Sequence, residues 1–433
     1  MQIIASWGNV IRAEHRVVQL RSRQEGFPRL AFDGSVLPYG NGRSYGDSCL
    51  NVGGALLQTR ALDRFIRFDR ETGILACEAG VLLADILDLT VPAGWFLPVT
   101  PGTRFITLGG AIANDVHGKN HHGAGTFARH VRRIELARSD GQHIVCSSEQ
   151  HPEWFAATAG GLGLTGLILS GEIQLRRIPG PYMEVETIRF HNLDEFLELC
   201  AQSDRSFEYT VAWVDCMGRG KQLGRGLLQR ANHAAQAAGP RPRDFGLCVP
   251  FVPPCSPVNA ASVGMFNKLV YHRQWRTRRA SRAHYESIFY PLDGVLHWNR
   301  LYGPHGFYQY QCVIPGAAGR DATGELLQRI ARSGLGSVLA VLKVFGPLAS
   351  PGMLSFPREG ITLALDFPNR GERLARLFRE LDAIVREHGG RLYPAKDGRM
   401  PGALFREGYP RWQEFARYID PRSSSSFWRR VME

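Results

Sequence analysis

The segment Asn114-Asp-Val-His-Gly-Lys-Asn-His-His122 packs three imidazoles, an amine, a carboxylate and two carboxamides into nine residues. Such a run can ligate a metal, satisfy a buried polar network or face a ligand. His117 and His121 are four apart, a spacing that puts two zinc ligands on one helical face. Gly118 opposes a helix there, however, and the glutamate of an H-E-x-x-H motif is missing, so no metal site is assigned. A structural network stays open. Lys119, between Gly118 and Asn120, is placed to meet an anion or a substrate oxygen, and the ligand-facing reading is preferred.

Tyr39-Gly-Asn-Gly-Arg-Ser-Tyr-Gly-Asp47 is a second chemical constellation. Gly40, Gly42 and Gly46 let successive N–H groups converge on one anion, and Arg43 and Ser44 can add donors. The spacing G-x-G-x-x-x-G is one residue longer than the Rossmann fingerprint, the strand–turn–helix context is lacking, and there is no Walker lysine. Alone, the motif fits a plain turn equally well. Two more Gly-rich turns, Pro101–Ala111 and Gly160–Gly166, lie in the same stretch of chain. One large, flat, phosphate-bearing ligand would account for all three.

Lysine is rare. Of 52 Lys and Arg residues only Lys119, Lys221, Lys268, Lys343 and Lys396 are lysines. Arg stays protonated, whereas burial can tune a lysine toward proton transfer, so these positions invite attention. The net charge of +12 permits an anionic partner without naming one. Its densest cluster, Arg273, Arg276, Arg278, Arg279 and Arg282 with Trp275 and Tyr285, accompanies no nucleic-acid-binding motif, so nucleic acid is not expected as a partner. Anionic lipid headgroups and a solvated loop both remain open. Eight cysteines without a C-x-x-C pair fit reduced thiols of the cytoplasm. Residues 1–10 lack signal-peptide character, and no run reaches the ~18 apolar residues of a membrane span. A peripheral attachment to the inner face of the membrane is the compatible alternative.

The elements that must position these residues fall into two textures. Up to residue 180, short strands (53–57, 74–79, 131–136, 144–146, 167–175) alternate with Gly-rich turns and short helices at 81–89 and 151–157. From 181, strands at 183–190, 209–215, 306–314, 338–345 and 361–367 alternate with amphipathic helices at 193–202, 324–333 and 371–388. That pattern predicts a second sheet covered on one face by helices. The Pro-rich then basic stretch 247–285 shows no periodicity and is read as a mobile loop.

The blocks Tyr39–Asp47, Pro101–Gly110, Ala113–Gly125 and Gly160–Gly166 resemble the FAD-binding domain of the vanillyl-alcohol-oxidase type. With Trp298–Pro304, Gly306–Gln311, Leu342–Pro347, Leu354–Pro357 and Gly390–Asp397, the chain resembles the family of decaprenylphosphoryl-β-D-ribose 2-oxidases. The resemblance implies an α+β fold of two domains. A discontinuous FAD-binding domain would span 1–180, completed by 392–433, and an antiparallel-sheet substrate domain with helices would span 181–391. It implies that Gly40, Asn41, Gly42, Arg43, Ser44, Tyr45, Gly46 and Asp47, with Gly102, Thr107, Leu108, Gly109 and Gly110, hold the cofactor, and that Asn114, His117, Ile168 and Tyr393 line it. The first Gly-rich loop lacks the His through which many relatives attach FAD, so the expectation is non-covalent FAD.

The implied reaction oxidises C2 of a polyprenyl-phosphate-linked ribose to the 2-keto sugar, which an NADH-dependent ketosugar reductase would then reduce to arabinose. Lys396 resembles the family's active-site lysine; Lys119 and Tyr45 join it, and Gln309, Gln311, Lys343, Trp213 and Thr362 match positions around the sugar. Two departures stand out: Thr362 and Ala364 replace an Asn and a Cys of the family, and Phe289 replaces a Tyr, with Tyr290 adjacent. The competing readings are an FAD-dependent oxidase of a soluble polyol or sugar, and a flavin-binding or nucleic-acid-binding module without turnover.

Overall fold

The computed structural model describes residues 1–235 and 246–433. The first 180 residues build two larger sheets and a two-stranded pairing of Trp95–Phe96 with Arg176–Arg177. A four-stranded sheet runs in the order Gln2–Ala5, Arg12–Gln19, Ala55–Gln58, Val36–Tyr39, the last three strands mutually parallel. A five-stranded antiparallel sheet follows, in the order Phe65–Phe68, Ile74–Glu78, Leu167–Gln174, Val131–Ala137, His143–Cys146. The C-terminal segment returns to the first sheet. The Val36 N–H donates to the Arg422 carbonyl, and the Ser424 N–H donates back to the Val36 carbonyl.

From Tyr182 onward the chain forms one eight-stranded antiparallel sheet. Its order is Arg278–His284, Tyr182–Phe190, Gly226–His233, Tyr209–Val214, Ala340–Phe345, Gly360–Pro368, Phe307–Ile314, Arg391–Leu392. Side chains alternate between faces at every residue. One face carries Ala212, Leu228, Tyr310, Cys312, Leu342, Leu363 and Leu365 into a core shared with the helices Leu193–Ser203, Gly316–Ser333 and Glu372–Glu387. The last helix buries Leu374, Leu377, Phe378, Leu381, Ile384 and Val385, a stripe at helical spacing that fixes which side meets the sheet. The opposite face of the sheet is left for the site.

Two expectations need correction. The stretch 247–285 is structured: Ala260–Arg273 is a helix with Asn259 as its side-chain cap, and Arg278–His284 is the edge strand of the large sheet, in register Tyr182↔His284 through Ile188↔Arg278. Backbone pairing holds this strand although residues 278–282 are exposed on both faces, so it has no alternation of apolar and polar residues to read. The basic cluster is therefore largely on a strand, where Arg278 pairs with Glu186 at 3.1 Å. The helix expected at 324–333 begins at Gly316, because its first turns, Gly-Ala-Ala-Gly-Arg-Asp, carry little apolar pattern.

Candidate active site

A cavity of about 620 Å³ lies between the Gly-rich turns and the uncovered face of the large sheet. All three turns line it. Gly42 sits at φ +60°, where a Cβ would fall 2.0 Å from the Tyr39 hydroxyl. Gly40 touches the second turn, since a Cβ there would meet Thr107 Oγ1 at 2.5 Å. In the third, Gly160, Gly163 and Gly166 take positive φ, and Leu162 holds φ 57° despite its side chain. The Leu162 N–H donates to the Ala113 carbonyl, which anchors this strained residue at the cavity wall.

These walls fit FAD. The backbone N–H groups of Asn41, Gly42, Arg43 and Ser44 donate to no protein acceptor among the described residues, as a nest for a pyrophosphate requires. Asn41 braces the nest, its Nδ2 donating to the Phe105 carbonyl at 2.6 Å. His117 adds a free donor. Its Nε2 faces Gln311 Nε2 at 3.1 Å and must accept from it, so the proton sits on Nδ1, which has no partner among the described residues. The tautomer follows from the network: Thr362 Oγ1 donates to the Cys312 carbonyl and accepts from Gln311, which obliges Gln311 to present nitrogen. Burial and the nearby Lys343 hold His117 well below the usual imidazole range, hence neutral.

The opposing wall is made by strand register. Gln309 pairs with Asp366, Gln311 with Ala364, Lys343 with Thr362, and Val341 with Ala364 and Trp213, so these side chains share one face. Lys396 arrives from the turn after Arg391–Leu392, its Nζ 3.9 Å from the centre of the Tyr45 ring. Lys119 donates to the Ile288 carbonyl. Burial lowers all three lysines: Lys119 to about 7, Lys343 to about 8, and Lys396 to about 8, the last despite an opposing pull from Asp366. Burial also raises Tyr45 well above the ordinary phenol range, so it stays protonated. Amines titrating this near neutrality suit proton transfer.

The cavity is lined by Lys119, Lys343, Lys396, Tyr45, Gln309 and Gln311, and by Gly40, Asn41, Gly42, Arg43, Ser44, Gly102, Thr107, Gly109, Gly110, Asn114, His117, Ile168 and Tyr393. Five expected residues are not on its wall. Gly46 is pressed against the Asp397 carbonyl, and Asp47 is buried in an ion pair with Arg430 at 2.7 Å. Leu108 belongs to the core of the five-stranded sheet. Trp213 gives its indole N–H to the Val338 carbonyl at 3.3 Å. Thr362 stands behind Gln311. The second turn also differs from expectation in chemistry, because the N–H groups of Leu108 and Gly109 already donate to the Val81 and Ala79 carbonyls, and that of Gly110 to Thr107 Oγ1. Its contribution is close packing rather than free donors. Phe289 lines the cavity, while the Tyr290 hydroxyl meets Thr100 Oγ1 at 2.5 Å.

Sequence reasoning missed the rim residues Leu292, Leu296 and His297, held Trp298 only as the start of a resembling block, and missed the carboxylate behind Gln309. The latter had a signal: Asp366 is the one charge in the apolar run Ile361–Phe367. No cluster of three or more His, Cys, Asp or Glu able to hold a metal occurs among the described residues.

Residues 31–147 match the family described as FAD binding domain. The decaprenylphosphoryl-beta-D-ribose oxidase of Mycolicibacterium smegmatis is 36% identical over 401 residues, covering 89% of this chain and 86% of the relative. The chain belongs to the decaprenylphosphoryl-β-D-ribose oxidase family. An uncharacterized protein from the mprA 5′ region of Streptomyces coelicolor is 35% identical over 79% of this chain and 97% of its own length. L-gulonolactone oxidase of Mus musculus is 29% identical over 31% of the chain and 30% of the relative, a likeness confined to part of the fold. This member of the decaprenylphosphoryl-β-D-ribose oxidase family is thus an FAD-dependent oxidoreductase with the vanillyl-alcohol-oxidase-type α+β fold.

Proposed function

We propose that this chain oxidises the C2 hydroxyl of a polyprenyl-phosphate-linked ribose to the 2-keto sugar, the first half of an epimerisation to arabinose. The observation that carries the reading is the meeting of three lysines and two glutamines in the cavity that the FAD cradle lines. Bound FAD supplies the hydride acceptor for the sugar C–H. The protein supplies orientation and a proton acceptor. Lys119, fixed on the Ile288 carbonyl, and Lys343 present donors to sugar oxygens. The Lys396 Nζ donates no hydrogen bond among the described residues and takes the hydroxyl proton; with an amine pKa of about 8 it is half neutral near pH 8. FAD is held non-covalently, so acid precipitation should release the yellow colour into the supernatant.

A lipid-linked substrate is supported by the cavity mouth. Nine of the fourteen exposed large hydrophobic side chains among the described residues lie between Leu247 and Leu301. Residues 247–285 carry six lysines and arginines and no carboxylate. Leu296, half exposed, belongs both to this surface and to the cavity rim. The combination suits an anionic membrane surface and supports a cytoplasmic enzyme peripheral on the inner face, with an NADH-dependent reductase consuming its product. Among the described residues no helix is long and apolar enough to cross a membrane.

Anaerobic bleaching of the flavin with a lipid-phosphate-linked ribose, beside free alditols, tests the substrate. Bleaching by the lipid-linked sugar alone is expected; bleaching by alditols alone would hand the site to a soluble polyol. Flotation with anionic vesicles tests the surface, with retention lost when Phe266, Leu269 and Trp275 become Ser.

A further inference from the structure

The strand Gly360–Pro368 carries a single carboxylate, Asp366, with no solvent exposure. Its N–H donates to Ser337 Oγ at 3.0 Å, and its Oδ1 accepts from Gln309 Nε2 at 2.5 Å. Oδ2 has no partner among the described residues. A buried carboxyl group with a spare oxygen is destabilising and serves no packing purpose that a Leu or Asn would not serve better. Ionisable groups act on Asp366 from three directions: Lys396 from the turn after Arg391–Leu392, Tyr45 from the first Gly-rich turn, and Tyr302 from the helical turn Trp298–Tyr302. Lys343 acts in turn on Lys396.

Burial raises the Asp366 carboxyl to about 7 against the opposing pull of Gln309 and Lys396, so above that pH it is ionised and can only accept hydrogen bonds. Gln309 must therefore point its amide nitrogen inward at Asp366, which leaves the carbonyl oxygen of this cavity-lining side chain as an acceptor. A neutral partner would satisfy either orientation of the amide and release that constraint. The same carboxylate attracts the ammonium of Lys396, opposing the effect of burial.

We propose that Asp366 is a positioning residue for the reaction: it locks Gln309 as an acceptor toward the substrate hydroxyl and sets the charge state of Lys396. In the step it serves, the hydroxyl O–H bond would break with its proton joining the Lys396 lone pair, and the electron pair of the C–H bond would pass as hydride to FAD when it is bound. The inference rests on the reading above in one respect, that Lys396 is the base.

Asp366→Asn, equal in size, separates the two ideas. In the FAD-loaded protein without substrate, acylation of Lys396 by acetic anhydride is followed by mass spectrometry across pH. Loss of the carboxylate should move the midpoint down from about 8 by about one pH unit. The acid limb of the rate profile for flavin bleaching should move with it, and KM should rise as Gln309 is freed. An unmoved acylation midpoint overturns the control of Lys396 by Asp366 and leaves the base standing. A moved midpoint with an unmoved rate profile removes Lys396 as base and this proposal with it. A uniform fall in rate at every pH marks a merely structural residue and also overturns it. Should Asp366→Asn fail to fold, Gln309→Leu keeps the carboxylate but removes its donor; protonation of Asp366 is then easier, and the Lys396 midpoint should still move down.

Discussion

The two walls of the cavity are built on opposite principles. The cradle works through backbone: its N–H groups are the ligands, and its glycines are there because no side chain fits. The sheet face works through side chains whose direction is fixed by register, so that shifting the strand Gly360–Pro368 by one residue would bury Thr362, Ala364 and Asp366 in the helix-covered core. The cradle thus ties cofactor binding to folding, while the sheet face leaves chemistry adjustable one residue at a time. Thr362 and Ala364 illustrate the second freedom, since both face the cavity side of a strand whose pairing depends on backbone alone.

The largest expected effect lies in the cradle. A Cβ on Gly46 would fall 1.7 Å from the Asp397 carbonyl oxygen, and both partners there are backbone. Gly46→Val should give no folded, yellow protein; a yellow variant with an ordinary melting temperature would break the contrast. Lys396→Ala should do the reverse, keeping colour and melting temperature while slowing substrate-dependent bleaching by roughly 10²–10⁴-fold. Loss of FAD from that variant would show that the two walls are not separable.

The third effect tests what joins them. Arg430 holds Asp47 of the first turn at 2.7 Å and Asp397, next to Lys396, at 2.9 Å. Arg430→Met strips buried Asp47 of its ion pair and Asp397 of one of its donors, and should cost about 3–5 kcal/mol in denaturant unfolding at neutral pH. The deficit should shrink in acid as Asp47, whose carboxyl burial raises, protonates. The smallest effect is a displacement of titration. Lys343 pushes Lys119 and Lys396 downward by like-charge repulsion. Lys343→Met should therefore raise both, moving the acid limb of the bleaching profile to higher pH, opposite in sign to Asp366→Asn.

The same contrast explains what could be read in advance. Glycines in close succession announce a backbone site, and Gly40, Gly42 and Gly109 do line the cavity. The helix Glu372–Glu387 was legible from its apolar stripe. The rarity of Lys pointed to five positions, of which Lys119, Lys343 and Lys396, far apart in sequence, share one cavity. The edge strand Arg278–His284 was hidden because pairing with Tyr182–Phe190 demands only backbone. The Leu292–His297 rim was hidden because no spacing rule connects it to turns some two hundred residues earlier. Asp366 was visible as a lone charge in an apolar strand, but only register shows that it stands behind Gln309.

The return of the C-terminal segment has a consequence for how the enzyme is made. Residues 422–424 complete the edge of the strand Val36–Tyr39, and Arg429 donates to Asn51 at 2.7 Å while Arg430 closes over Asp47. During synthesis the cradle emerges from the ribosome nearly four hundred residues before the part that fastens it. The fastened cradle therefore forms only after residues 422–430 have been made, and FAD capture that needs this fastening follows that step.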